Sequence, residues 1–287
     1  MSDNQCGSCS SANSCSSAGE GACSPEDKKL ADRLARIKNI IVVLSGKGGV
    51  GKSAVAANLA VGLSLAGKHT GLLDVDVHGP SIPRILGLTE AQIHAEPDYV
   101  EPVPFNKNLW VISLGFMLPS PSQAVIWRGP VKIGVIRQFV QDVTWGDLDY
   151  LIVDCPPGTG DEPLSAIQTL GPRAKALIVT TPQSVAIDDV RRSVSFCAEV
   201  ETEVLGLVEN MSGYVCSHCG QVENIFQNGG GQDLAKEMNV PFLGAIPLDP
   251  QMVLAGDNGE PLLANNSESP AAKAMDEIVQ KVMQATG

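Results

Sequence analysis

The chain has 287 residues, 44% of them hydrophobic, enough to bury a large core as one domain, and a formal net charge of −12. Binding a nucleic acid through released counterions requires clustered Lys and Arg; this acidic chain lacks them, so no nucleic-acid partner is expected. There is no apolar run of about 18 residues and no basic-then-apolar N-terminus, so a cytoplasmic protein with no membrane partner is expected.

The first stretch, residues 1–27, is rich in Ser, Gly and Ala and holds Cys6, Cys9, Cys15 and Cys23, half of the eight cysteines in the chain. Such a segment has too little apolar content to fold by burial alone, so it is expected to be a flexible cysteine-rich leader, with residues 28–287 forming the folded domain. In a reducing compartment these thiols point to metal or redox chemistry rather than disulfides. Four thiolates on one short segment can wrap a metal cluster; a zinc knuckle and an unstructured tail are the alternatives, and whether Cys23 is a ligand stays open.

From Lys38 onward strands and helices alternate, with strands expected near 40–45, 70–75, 109–114, 150–154, 176–181, 204–209 and 242–246. That alternation predicts an α/β fold: a doubly wound, mostly parallel sheet with helices on both faces. The first strand runs into Gly46-Lys47-Gly48-Gly49-Val50-Gly51-Lys52-Ser53, and the apolar stretch from Ala54 to Ala66 reads as the following helix. Glycines at a strand-to-helix turn let backbone N–H groups close on phosphates, and the helix start adds positive potential. Lys52 is expected to hold the β- and γ-phosphates of ATP and Ser53 to bind Mg²⁺.

The second strand ends in Leu72-Leu73-Asp74-Val75-Asp76, the fourth in Ile152-Val153-Asp154-Cys155-Pro156-Pro157-Gly158. Ligands of such sheets sit beyond the carboxyl ends of the strands, which places these acids at the nucleotide, Asp154 against a Mg²⁺-bound water. Further on, Cys216-Ser217-His218-Cys219 offers two thiolates on a tight turn, half of a tetrahedral zinc site or of the ligand set of a [4Fe-4S] cube. The ligands alone do not choose between the two. Cys197 reads as a small buried hydrophobe, Trp145 as core, and the roles of Cys155, Arg128 and Arg137 stay open. The tail from Ser269 to Met283 spaces Ala272, Met275, Ile278, Val279, Val282 and Met283 along one helix side, with charges of both signs opposite; it is expected to dock on the body.

Lys47, at a position the general phosphate-loop pattern leaves free, resembles the second lysine of the deviant Walker A ATPases, the group of MinD, ParA and nitrogenase iron protein. By that resemblance it reaches the nucleotide of a partner copy, as an arginine finger does, and implies a homodimer. Residues from about Lys38 onward resemble more narrowly the Mrp/ApbC family of iron-sulfur cluster carrier ATPases. The resemblance is carried by Asp76-x-x-Gly79-Pro80-Ser81, Trp127-Arg128-Gly129-Pro130, Pro156-Pro157-Gly158-Thr159-Gly160-Asp161-Glu162, Val208-Glu209-Asn210-Met211-Ser212 and the C-x2-C. It implies that Asp76 activates the attacking water, that Asn210 recognises adenine, and that Cys216 and Cys219 of two copies bridge a [4Fe-4S] cluster delivered to apo iron-sulfur proteins. The leader resembles the cysteine extension of the eukaryotic cytosolic scaffold branch, though its cysteine order differs, and implies a second cluster. An electron-transfer ATPase like nitrogenase iron protein and an organising ATPase like MinD or ParA with structural zinc are the competing functions.

Overall fold

The structure, a computed structural model, describes residues 24–76, 79–96, 99–117, 129–216, 218–265 and 268–287. Cys6, Cys9, Cys15 and Cys23 of the leader, and Trp127 and Arg128, lie outside the described residues.

In chain order the elements begin with α1 (Pro25–Ala35), β1 (Ile37–Ser45), α2 (Lys52–Leu65), β2 (Thr70–Asp74), α3 (Ile82–Ile85), β3 (His94–Ala95), β4 (Val100–Glu101), β5 (Val103–Asn106) and β6 (Leu109–Ser113). There follow α4 (Gly129–Asp142), β7 (Leu148–Asp154), α5 (Asp161–Leu170), β8 (Ala174–Thr180), α6 (Ser184–Glu199) and β9 (Glu203–Glu209). The last third contains β10 (Tyr214–Val215), β11 (Val222–Glu223), α7 (Gly230–Glu237), β12 (Phe242–Ala245), α8 (Pro250–Asn258), α9 (Leu262–Asn265) and α10 (Pro270–Thr286). All seven expected strands are present, each within a few residues of its predicted limits. Helix α1 starts at Pro25, with the Ser24 hydroxyl accepting from the Asp27 N–H at 3.1 Å, and so crosses the expected 27/28 boundary.

Eight strands form one sheet in the order β12-β9-β8-β1-β7-β2-β6-β5, every pair parallel except β5 with β6 at the edge. A parallel sheet covered on both faces needs apolar side chains at consecutive positions, and Ile40 to Leu44 of β1 are all buried. Their alternation sorts them between two cores: Ile41 and Val43 pack with α2 and α10, while Ile40, Val42 and Leu44 pack with residues of α4, α5 and α6. Strand β1 and its successor β2 are separated by β7. The resulting crevice at the carboxyl ends of β1, β7 and β2 is where a doubly wound sheet binds its ligand.

Two expected core residues settle as read: Trp145 is buried with its indole N–H donating to the Phe139 carbonyl at 3.2 Å, and Cys197 is fully buried; Cys155, whose role the sequence left open, is fully buried too. Arg137, left without a role by the sequence, pairs with Asp27 and ties α4 to α1. In α10, Ala272, Met275, Ile278, Val279 and Val282 are buried and Met283 packs against the same core. The Lys281 ammonium donates to the Leu243 carbonyl at 2.7 Å, so the tail is docked on β12. Among the described residues no helix is long and apolar enough to cross a membrane. Ile278→Ala is expected to lower the unfolding free energy by about 2–5 kcal/mol in urea denaturation, as a buried truncation does, whereas exposed Gln280→Ala stays within about 0.5 kcal/mol.

Candidate functional site

The segment after β1 forms a cradle open to an anion. Gly51 is the N-cap of α2 at φ 80, with no side-chain cap and no acidic residue in the first helical turn. Its left-handed backbone favours glycine, and a Cβ there would also overlap the Asn210 amide nitrogen. At Gly46 a Cβ would lie 2.5 Å from the Asp189 backbone of α6, so the loop runs flush against that helix. Two further bonds fix its shape: the Ser45 hydroxyl donates to the Lys47 carbonyl at 3.0 Å, and the Gly158 N–H donates to the Ser45 carbonyl at 2.8 Å. Uncapped N–H groups at a helix start, lined by glycine, fit the phosphates of a nucleotide.

Beneath the loop lie the acids. Parallel register sets Asp154 beside Val43 on one side and beside Asp74 on the other, and sets Asp74 beside Ser113. The Lys52 ammonium pairs with Asp154 and donates to the Ser53 hydroxyl at 3.2 Å. Ser113 donates to Asp74 at 2.7 Å, the Asp76 N–H donates to the other Asp74 oxygen at 3.1 Å, and the Gly79 N–H donates to Asp76 at 3.3 Å. Lys52, Asp74, Asp76 and Asp154 are all at most 9% exposed. One Asp154 oxygen, Oδ2, has no hydrogen-bond partner among the described residues. A buried orphan carboxylate oxygen next to a serine hydroxyl is the donor set a hard divalent cation takes, so the residues fit Mg²⁺.

The charges do not balance. Burial first, and then the Asp154 charge, pushes the Asp74 carboxyl up to about 8. Burial also raises Asp154, against the pull of Lys52. Burial works to lower the Lys52 ammonium, but Asp154, Asp76 and Asp74 outweigh it and hold Lys52 above the usual lysine range. Lys47 is different: it is half-buried and has no ion pair to any described residue.

The strand next but one to β1, β9, brings the cysteine segment to the same edge. Asn210 follows it directly, its backbone N–H donating to the Thr180 carbonyl at 2.8 Å and its side chain to the Val50 carbonyl of the phosphate loop at 2.9 Å. The chain then turns at Met211, φ 57, and enters the β10–β11 hairpin, which carries Cys216 and Cys219. The Cys216 N–H donates to the Gln221 carbonyl at 2.9 Å and the Gly220 N–H to the Cys216 carbonyl at 2.8 Å, which closes the turn around the pair. Cys219 is exposed and Cys216 half-buried. The Cys216 thiol is held below its ordinary range by the Cys219 and His218 backbone N–H groups and by the Cys219 thiol, which favours the thiolate a metal needs. By contrast, burial pushes Cys155 up and Cys197 up to about 11, leaving both as inert core thiols. Among the described residues no group of three or more Cys, His, Asp or Glu could hold a metal ion.

The structure therefore brings Gly46, Lys47, Gly48, Gly49, Val50, Gly51, Lys52, Ser53, Asp76, Asp154 and Asn210 to one edge of the sheet. Three site features escaped the sequence reading. Ser113 on Asp74 depends on β2–β6 register, the orphan oxygen of Asp154 on packing, and Glu209 was noted only within a motif; a charged residue ending an apolar strand was the available clue.

Comparison with known proteins agrees with this geometry. The family profile described as ParA, NUBPL iron-transfer P-loop NTPase, matches residues 36–283. The chain is 48% identical over 257 residues to the cytosolic Fe-S cluster assembly factor NUBP2 of Bos taurus, spanning 88% of this chain and 95% of that one. It is 44% identical over 282 residues to an iron-sulfur cluster carrier protein of Methanocaldococcus jannaschii, spanning 98% and 97%. Among solved structures, a nucleotide-binding protein of Archaeoglobus fulgidus in complex with ADP superposes with a TM-score of 0.74 at 37% identity, covering 85% of this chain and 94% of that one. The cell division ATPase MinD of Pyrococcus furiosus, at 24% identity and a TM-score of 0.64 over 86% and 99%, shares the fold. With the phosphate cradle, the acids below it and the thiol pair beside it on one sheet edge, the chain belongs to the ParA-type NUBPL family of iron-transfer P-loop NTPases.

Proposed function

We propose that this protein is an ATP-dependent carrier that holds an iron-sulfur cluster between two copies of itself and hands it to apo iron-sulfur proteins in the cytosol. The observation that carries the reading is the Cys216/Cys219 turn: two accessible thiols, one of them biased toward thiolate, on the hairpin that follows Asn210, itself bonded to the phosphate loop. Two thiolates satisfy half of a four-ligand cluster, and a second copy supplies the other half. Exposed Val222 and Ile225 on the same hairpin are apolar surface that such a dimer would cover.

The geometry supports the following roles within the ATP site. Uncapped N–H groups from Gly48 to Ser53 and the Lys52 ammonium bind the phosphates, and Ser53 with Asp154 holds Mg²⁺. The cation would neutralise phosphate charge and take up the unused valence of Asp154. Before nucleotide arrives, Lys52 is neutralised by Asp154, so neither charge stands buried alone. Asp76, bound through its side chain to the Gly79 N–H, is the base for the attacking water. Half-buried Lys47 is the cation that a dimer would aim at the other copy's nucleotide, where charge develops in phosphoryl transfer. Asn210, already bonded to Val50, would recognise the adenine edge, as the family resemblance implies. Cys6, Cys9, Cys15 and Cys23 of the leader would hold a second cluster.

Cys216→Ala/Cys219→Ala is expected to bind ATP normally but to carry about two thirds of the iron and sulfide of the parent after anaerobic reconstitution, since a dimer keeps its two leader clusters and loses the one it shares. Transfer to an apo-acceptor that persisted undiminished in this variant would move delivery to the leader. Lys47→Ala is expected to reduce kcat by about a hundredfold or more while nucleotide affinity holds, since its effect is confined to the transition state. Unchanged turnover would remove Lys47 from the reaction. In Asp76→Ala hydrolysis should slow by about a hundredfold with little change in binding, measured by single-turnover assay.

A further inference from the structure

The chain leaves the sheet at the end of β9, carries Cys216 and Cys219 out on the exposed hairpin, and returns at the start of α7. Both ends of this excursion meet at one side chain. Glu209, the last residue of β9, is 0% exposed, and its backbone is held from both sides, paired with Thr180 of β8 and with Ala245 of β12. Its Oε1 accepts from the Ser212 hydroxyl on the outgoing segment and, at 2.9 Å, from the Gly229 N–H on the returning one. Its Oε2 accepts from the Gly231 N–H. Gly229 is the N-cap of α7, so the carboxylate also faces the positive end of that helix.

No cation pairs with Glu209 among the described residues. Its lost hydration is replaced by these three donors, a costly arrangement for a strand end whose preceding residues Leu205, Leu207 and Val208 are apolar and buried. What the carboxylate does that an apolar residue could not is to close the base of the cysteine loop. The adjacent residue, Asn210, bonds the phosphate loop through Val50. One strand end therefore holds the nucleotide cradle with one residue and the thiol-bearing loop with the one before it.

We propose that Glu209 is the positioning residue of the cysteine pair: it fixes the base of the 212–229 excursion so that the Cys216 and Cys219 thiols are preorganised for the cluster. The inference rests on the reading of Cys216 and Cys219 as cluster ligands. A loop closed at its base loses less freedom when metal binds, so the retained metal leaves more slowly. Gln at this position keeps the size of the side chain but turns an NH₂ toward N–H donors, which opens the clamp.

The test uses the full chain with Cys6→Ser, Cys9→Ser, Cys15→Ser and Cys23→Ser as parent, reconstituted anaerobically with iron and sulfide. The rate at which a ferrous chelator extracts iron is read beside the affinity for MgADP. Glu209→Gln is expected to release iron about tenfold faster, as loss of hydrogen bonds to a carboxylate implies, with MgADP affinity within about twofold. Ser212→Ala, which removes one donor only, should give a smaller acceleration in the same direction, and it decides the matter if Glu209→Gln fails to fold. Extraction at the parent rate, or a parallel loss of iron retention and MgADP affinity, overturns the positioning role. Cys216→Ala/Cys219→Ala in the same background separates the two readings: if it binds as much iron as the parent, the ligand assignment itself fails. If it binds none while Glu209→Gln and Ser212→Ala release iron at the parent rate, only the role of Glu209 is lost.

Discussion

Three carboxylates and one ammonium share the buried floor under the phosphate loop, and most of the site can be understood from their imbalance. Lys52 neutralises Asp154, while Asp74 is pushed up to about 8 by burial and by the Asp154 charge. Breaking a buried ion pair by removing one partner costs about 3–5 kcal/mol because the other charge is left unpaired. A bound nucleotide with a divalent cation, as proposed, would offer the matching charges, negative for Lys52 and positive for Asp154. The Lys52–Asp154 contact thus leaves neither charge buried alone.

That arrangement depends on sheet order more than on any loop. Because β7 lies between β1 and β2, the ends of these three strands bring the glycine loop, Asp154 and Asp74 side by side. Because β8 and β9 follow β1 on the other flank, the chain beyond β9 reaches back to Val50 through Asn210 and out to the cysteine turn through Ser212. The nucleotide region and the thiols are joined by two consecutive residues of one strand end.

Two different degrees of burial mark the cysteines. Cys155 and Cys197 lie in the core, with thiols raised by desolvation, and have no route to metal or oxidant. Cys216 and Cys219 sit on a two-stranded hairpin outside the main sheet, with Cys216 favoured as thiolate by backbone N–H groups. The division follows from secondary structure: a strand end or helix interior buries a small apolar side chain, whereas a tight turn presents it.

The sequence by itself determined the strands, the phosphate loop and the identity of the polar residues around it. Those features are local: a continuous apolar run is a buried parallel strand, glycines before Lys52 and Ser53 make a phosphate turn, and acids at strand ends face the ligand edge. The docking of α10 was also readable, since Ile278 and Val279 share a face whose opposite side mixes charges of both signs. Only the tertiary structure decided which distant residues complete the site. Ser113 reaches Asp74 through the β2–β6 register, Arg137 finds Asp27, and Glu209 meets Gly229 and Gly231 across the cysteine loop. Each of these contacts joins positions far apart in the chain, and no periodicity or spacing encodes a partner that folding alone brings within reach of a hydrogen bond.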